Sequence, residues 1–388
     1  MDTTLTIRHL TPTFRTFCGA GALQALPREL DRAGARRAVI ICGRSMLEHD
    51  RVMRQVSEVL GDRLAGQYTG VRAHSPLDGV QAARDFLADH DADAVIPVGG
   101  GSAVVTARAA VILLAEQTDI RDLCTRRGTD GKLISPRLSA PKLPQWVVAT
   151  TPTTAYAKAG AAVRDLRTGE RLALYDPKAR AQGVALDASM AMTAPEQLVR
   201  SAALNVFAMA VEGLTAPTAD PLADALLAHA LRLVVTWLPR LGEDPGQPEP
   251  RLHLMLAALL AGQGSDTTGG GLAQALSHAV GPLSSSANGM VEAMLLPHAL
   301  RFAADVIGDR LTAAADYLGL TDRDPASVIA EIERLLGLFG VPTRLRAVDV
   351  SSADLKAAAT HAMHDWALTT AARVPSEQDV HALLTHAW

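Results

Sequence analysis

Aromatic residues make up only 4% of the 388 residues, with four Trp, four Tyr and six Phe. So few rings leave the core to aliphatic side chains, and the plentiful Ala and Leu favour closely packed helices. Cysteine is just as scarce. Cys18, Cys42 and Cys124 are too few and too scattered for a disulfide framework or a thiolate metal cluster, and they read as buried, reduced thiols. Neither sign of charge dominates, because 37 Lys and Arg face 41 Asp and Glu for a net charge of −4. That balance argues against a nucleic-acid partner and against strong attraction to an anionic membrane. No basic-then-apolar leader is evident. Apolar runs such as AAVILLA at 109–115 fall far short of the ~20 residues that span a bilayer. The expectation is a soluble, cytoplasmic protein whose partner is a small molecule, with no nucleic acid and no membrane.

A chain of this length suggests about two domains, each able to bury a core. In the first half, RAVIICG (37–43), DAVIPVGGGS (93–102) and QWVVATTPTT (145–154) read as buried strands. Between them lie helical patterns at 46–61, 78–91 and 103–116. This βαβα alternation predicts a parallel sheet with helices on both faces. From about residue 190 the texture changes to Ala- and Leu-rich helical stretches at 196–213, 221–241, 250–262, 271–281, 288–306, 326–339 and 352–366. GEDPGQPEPR (242–251) reads as a surface connection. The fold class expected is therefore an α/β domain over 1–190 followed by an all-helical domain over 191–388, with a small-molecule site in the cleft between them.

Gly99, Gly100, Gly101 and Ser102 follow a buried strand and open a helix. Glycines let the backbone turn sharply and approach a ligand, and a helix N-terminus offers N–H groups to a phosphate. The run is not the GxGxxG fingerprint, and a tight turn without a ligand is the competing reading.

GGGSAVVTARAA at 99–110, together with the runs at 195–213 and 271–301, resembles the iron-containing (group III) alcohol dehydrogenases, in the superfamily that also holds the dehydroquinate synthases. The resemblance extends from FCGAGAL (17–23) to RFAADVIG (301–308) and weakly to RVPSEQDVHALL (373–384). It implies that Gly99 to Ser102 hold the pyrophosphate of NAD or NADP. The family's Asp and Lys that follow this turn are Val105 and Arg108 here, so the cation is kept in kind. A second nucleotide loop, PTTAGTGSE in the family, appears as Pro152-Thr153-Thr154-Ala155-Tyr156-Ala157-Lys158. Tyr156 and Lys158 are therefore candidates either to fill the nicotinamide pocket or to supply it with a hydroxyl and a charge. Arg44 lies where the family discriminates the adenosine ribose, and a cation there leans towards NADP; an exposed loop arginine is the alternative.

The family binds one divalent metal through an Asp and three His. The spacing P-x9-D-x3-H-x2-E from Pro195 falls on Asn205, Met209 and Glu212, and G-x-x-H from Gly271 falls on Gln274. The fourth position is Asn288, in Ala287-Asn288-Gly289 before AMLLPHALRF. Amides and a thioether are weak, mismatched donors for Fe²⁺ or Zn²⁺, so no metal is expected. His361, His364 and His298 read as surface or packing residues. His278 survives at the family's second helix histidine and suits proton transfer at neutral pH.

The chain is thus also similar to the maleylacetate reductases, a branch thought to act without a metal. The expectation is a metal-independent NAD(P)-dependent reductase of a small carbonyl or conjugated acid, with an anionic substrate compatible. His278, Lys158 and Tyr156 would be catalytic; Gly99, Gly100, Gly101, Ser102, Arg108, Thr153, Thr154 and Arg44 would hold cofactor. Asn205, Met209, Gln274 and Asn288 would line the substrate pocket, and a homodimer is the default assembly. A non-redox isomerase, lyase or cyclase on the same scaffold, or a catalytically inactive binding protein, stays open.

Overall fold

A computed structural model describes residues 7, 9–128 and 133–388. Its strands are β1 (Arg15–Gly19), β2 (Ala38–Gly43), β3 (Leu64–Val71), β4 (Ala94–Gly99), β5 (Arg126–Arg127), β6 (Leu133–Ile134), β7 (Trp146–Ala149), β8 (Gly160–Arg164), β9 (Arg171–Tyr175) and β10 (Gly183–Asp187). The helices of the first half are α1 (Leu26–Ala33), α2 (Asp50–Leu60), α3 (Leu77–Asp89), α4 (Gly101–Glu116), α5 (Ile120–Leu123) and α6 (Ala188–Ala191). Those of the second half are α7 (Glu196–Thr215), α8 (Pro221–Trp237), α9 (Glu249–Thr268), α10 (Leu272–Val280), α11 (Asn288–Leu318), α12 (Pro325–Leu338), α13 (Leu355–Ala362) and α14 (Glu377–Ala387). The expected α/β region followed by a helical region is the fold observed.

Two compact units divide the described chain. One comprises Thr13–Pro195 and Gly246–Met255; the other comprises Glu196–Pro245, Leu256–Trp388 and the described residues before Thr13.

In the α/β unit six strands form one parallel sheet in the order β1-β10-β7-β4-β2-β3. Alternation along β2 explains why helices cover both faces. Val39 and Ile41 join Val95 and the apolar side chains of α3 and α4 in one core. Ala38, Ile40 and Cys42 join Ile96, Trp146, Val148 and the side chains of α1 and α2 in the other. The strands absent from the sequence reading are β1, β3, β10 and the antiparallel pairs β5–β6 and β8–β9. β1 is a mostly exposed edge strand with no clear alternation, and β3 is half-buried along its whole length, so neither carries an apolar signature.

Burial pushes the Cys42 and Cys124 thiols up to about 11, as expected of inert core cysteines. Cys18 departs from that expectation: it sits on edge strand β1 and is exposed. The 242–251 connection is exposed through Gln247, but its last residue is not loop-like. Arg251 is buried and donates to the carbonyls of Ala191 (3.0 Å) and Ala194 (2.6 Å).

In the helical unit α7 is apolar on nearly every side, because it packs against both α8 and α11. Two stretches, Glu196–Thr215 and Pro221–Gly242, are long and apolar enough to cross a membrane by length and composition. The first is 72% buried within its own fold, as a core helix is, and the second 33%.

The buried cation of α4 fixes the local architecture of the α/β unit. Arg108 has no exposed surface, and its guanidinium donates to the carbonyls of Ala155 (2.7 Å), Gly160 (2.8 Å) and Ala179 (3.3 Å). Its fork ties the 151–157 loop, β8 and the turn before β10 to one helix. Replacing it with Met would strip those buried carbonyls of their donor. Arg108→Met should therefore destabilise the protein by about 3 kcal/mol or more in urea unfolding. Arg108→Lys should recover only part of the loss, since a point ammonium cannot span three acceptors. A Met variant as stable as the parent would show that these bonds contribute nothing net.

Candidate active site

In the α/β unit the glycine turn and the second loop meet. Gly99 has φ +144°, and a Cβ on Gly100 would lie 2.5 Å from Thr151 Oγ1. One on Gly101 would lie 3.0 Å from Thr153 Oγ1. The glycines are thus needed for loop-to-loop packing whether or not a ligand is present. The turn still opens a 16-residue helix whose first N–H groups have no intrahelical acceptor. Ser102 sits on that first turn beside them. Thr153 Oγ1 accepts from Ala155 N (3.2 Å), and Thr154 is buried. A helix start of this kind, with a serine on its first turn, carries the donor chemistry that a phosphate takes. Arg44 follows β2 and is exposed.

Two residues assigned to this site have other work. Arg108, expected to hold phosphate, gives three N–H groups to backbone carbonyls in the core. Tyr156, expected to be catalytic, is fully buried; its hydroxyl donates to the Thr151 carbonyl, and burial pushes its ionisation far above the ordinary phenol range. It buttresses the loop that faces Gly100. Lys158, between this loop and β8, is half-buried.

In the helical unit the four positions that the resemblance sets against metal ligands lie on α7, α10 and α11. Each carries a hydrogen bond or a packing role of its own. The Asn205 amide donates to Glu292, a carboxylate with no exposed surface on α11. Met209 Sδ accepts from Ser265 Oγ at 3.2 Å. Asn288 Nδ2 donates to Ser277 Oγ (3.3 Å), which donates in turn to the Gln274 carbonyl (2.8 Å). Gln274 is 5% exposed, and its buried Oε1 has no hydrogen-bond partner. Such an orphan acceptor costs roughly 1–3 kcal/mol unless a donor arrives, so it suits a ligand hydroxyl or N–H. Among the described residues no group of three or more His, Cys, Asp or Glu is arranged to hold a metal ion. Two carboxamides, one thioether and one more carboxamide do not fit Fe²⁺ or Zn²⁺.

Glu212, retained from the helix pattern, does a different job. Its carboxylate accepts from the N–H groups of Ala273 (2.7 Å) and Gln274 (3.2 Å) at the start of α10. Gly271 has to be glycine, since any Cβ there would run into that carboxylate. Burial pushes the Glu212 pKa up to about 7, with the two backbone bonds opposing it.

His278 lies about one turn beyond Gln274 on α10. Its Nδ1 is 2.8 Å from Asp365 Oδ2, with the two side chains 10% and 8% exposed. The Trp366 ring is 6.2 Å away. In the sequence Asp365 is notable only as the neighbour of His361 and His364; its pairing with His278, 87 positions away, is not legible there. The neighbouring His361 and His364 are exposed, as expected. His298 packs 5.3 Å from the His386 ring, and burial pushes it down to about 4, so it stays neutral.

Residues 12–188 match the family model of iron-containing alcohol dehydrogenase, and residues 200–388 that of the Fe-containing alcohol dehydrogenase family, C-terminal. The chain belongs to the iron-containing alcohol dehydrogenase family and is an alcohol dehydrogenase/reductase-like enzyme. Maleylacetate reductase 1 of Cupriavidus pinatubonensis is 28% identical over 76% of this chain and 74% of its own length. Lactaldehyde reductase of Escherichia coli K12 is 26% identical over 95% of this chain and 97% of its own. The structure of sulfoacetaldehyde reductase from Bifidobacterium kashiwanohense in complex with NAD⁺ has a TM-score of 0.84 at 18% identity, covering 99% of each chain.

The raised Glu212 acid makes a pH prediction. Its folded pKa exceeds the unfolded one, so its favourable contribution is complete below about 4.5 and is lost as pH rises through about 7. Relative to Glu212→Gln, the wild-type protein should therefore lose on the order of 2 kcal/mol between pH 5 and pH 8 in denaturant unfolding. A stability difference flat across that range would mean that Glu212 titrates as an ordinary carboxyl.

Proposed function

We propose that this chain is a NAD(P)-dependent reductase of a small carbonyl compound or conjugated acid, working without a resident metal. The observation that carries the reading is His278, a proton-transfer group held by Asp365 on the helix that also bears Gln274. The carboxamides and thioether of Asn205, Met209, Gln274 and Asn288 do not fit the Lewis acid that would otherwise stabilise a developing alkoxide. The nicotinamide, when bound, supplies the hydride. The start of α4, Ser102 and the Thr153–Thr154 loop would hold its pyrophosphate, and Arg44 would favour a 2′-phosphate.

His278 does the remaining work. As imidazolium it gives its Nε2 proton to the carbonyl oxygen as negative charge develops there, ending as neutral imidazole. Gln274 Oε1 accepts a hydrogen bond from a hydroxyl elsewhere on the substrate and so orients it. Lys158 is a candidate to hold an anionic substituent. The NAD⁺ complex of the sulfoacetaldehyde reductase and the names of the two relatives support the redox reading.

Nucleotide fluorescence during titration with NADPH and NADH tests it. Saturable binding is expected, tighter for NADPH, and unchanged in His278→Ala. Turnover in that variant should fall by about 10²- to 10⁴-fold. No binding at millimolar nucleotide would sink the reductase and favour a non-redox enzyme on this scaffold. Introducing Asn205→Asp, Met209→His, Gln274→His and Asn288→His together should create divalent-metal affinity; a folded variant that takes up no metal would mean that these positions do not converge as assigned.

A further inference from the structure

Asp365 reaches His278 from a segment with no sequence proximity to it, and both of its oxygens are committed. Oδ2 faces His278 Nδ1 at 2.8 Å, while Oδ1 accepts from Ala367 N at 2.8 Å and caps the turn Trp366–Thr370. The same turn is fastened at its other end. Thr370 Oγ1 donates to the Gly270 carbonyl at 2.9 Å. Gly269 adopts φ +77°, and a Cβ there would lie 2.5 Å from Thr370 Oγ1. Asp365–Thr370 is thus a strap lying on the segment that leads into α10, and Asp365 is the member of it that touches a titratable side chain.

We propose that Asp365 is a positioning residue of the reaction, acting through His278 and resting on the reductase reading above. A carboxylate can only accept, so it draws the proton of the neutral ring onto Nδ1 and leaves the lone pair on Nε2. When the ring is imidazolium, both nitrogens carry protons and the carboxylate offsets the added charge. The step then balances simply. The Nε2–H bond breaks, an O–H bond forms on the substrate oxygen that received hydride on its carbon, and Nδ1–H remains directed at Asp365. Asp365 itself takes no proton.

Asp365→Asn separates this role from a structural one. Asn caps helical turns as well as Asp does, so its Oδ1 keeps the Ala367 bond. Its NH₂ group then faces His278 Nδ1 as a donor, and the neutral ring must switch to the Nε2–H tautomer. In full-length protein labelled with ¹⁵N in the imidazole rings, the His278 signal is identified by its absence in His278→Gln. Its Nδ1 should carry the proton at every pH examined in the wild type, and Nε2 should carry it in Asp365→Asn. With lactaldehyde and NADPH as the probe pair, kcat should drop on the order of 10²-fold or more, while KM and nucleotide affinity stay within about threefold. Thr370→Val, which loosens the strap without touching the His278 bond, should lower thermal stability and leave kcat of the folded enzyme intact.

An unchanged tautomer in Asp365→Asn would overturn the proposal, as would a loss of kcat that Thr370→Val reproduces. If wild-type protein reduces no carbonyl probe, the reductase reading fails, and the tautomer still decides whether Asp365 sets the state of His278.

Discussion

The carboxylate of Glu212 on the first N–H groups of α10 is the contact on which the helical site depends. α10 is only nine residues long, too short to hold its place by propensity alone, and it carries both Gln274 and His278. An acidic group at a helix N-terminus satisfies orphan donors and complements the helix dipole. Here that group comes from α7, so one side chain fixes the distance between the two helices. Asn288 then ties α11 to the same helix through Ser277. Met290 N donates to Ser201 Oγ at 3.2 Å and ties α11 back to α7.

In a metal-bearing relative of this kind, an ion would bind three helices together with a strong, shared bond. In this chain the same three helices are tied by single hydrogen bonds, each worth about 1 kcal/mol net. The electrostatics change as well. Asn205 places no charge where the family has an aspartate, but it meets the buried carboxylate of Glu292 one helix away. The anion therefore persists in the neighbourhood on a different backbone position. Glu292 is one turn beyond Asn288 on α11, so the two share a face. That displaced carboxylate is invisible when only the ligand positions are compared.

The strands with continuous apolar runs, the glycine turn and the helical second half were all legible in the sequence, because burial leaves periodic signatures there. The spacings that single out Asn205, Met209, Gln274 and Asn288 are short-range, and all four residues fall on helices. What misled was chemistry taken out of its packing. Arg108 looks like a phosphate ligand by position, yet α4 is apolar around its whole circumference. A cation on such a helix has to find partners inside the protein, and backbone carbonyls were the ones within reach. Tyr156 likewise sits in a loop by sequence but is roofed over in the fold. The pairing of Asp365 with His278 could not be read at all, since nothing in a chain marks a contact across 87 positions.

On the metal-free reading proposed above, the help an ion would give falls to His278, and that changes what the enzyme has to manage. A metal polarises a carbonyl without any proton bookkeeping. An imidazole supplies comparable help only in the right protonation state and only with the right nitrogen presented. The supporting structure must therefore specify a tautomer as well as a position, and a lone histidine on a short helix cannot do that. A carboxylate from outside the helix can. The strap at 365–370 is for that reason more than a packing element. By capping its own turn with one oxygen, Asp365 arrives with the other already placed, so little ordering is left to do when the ring gains or loses its proton.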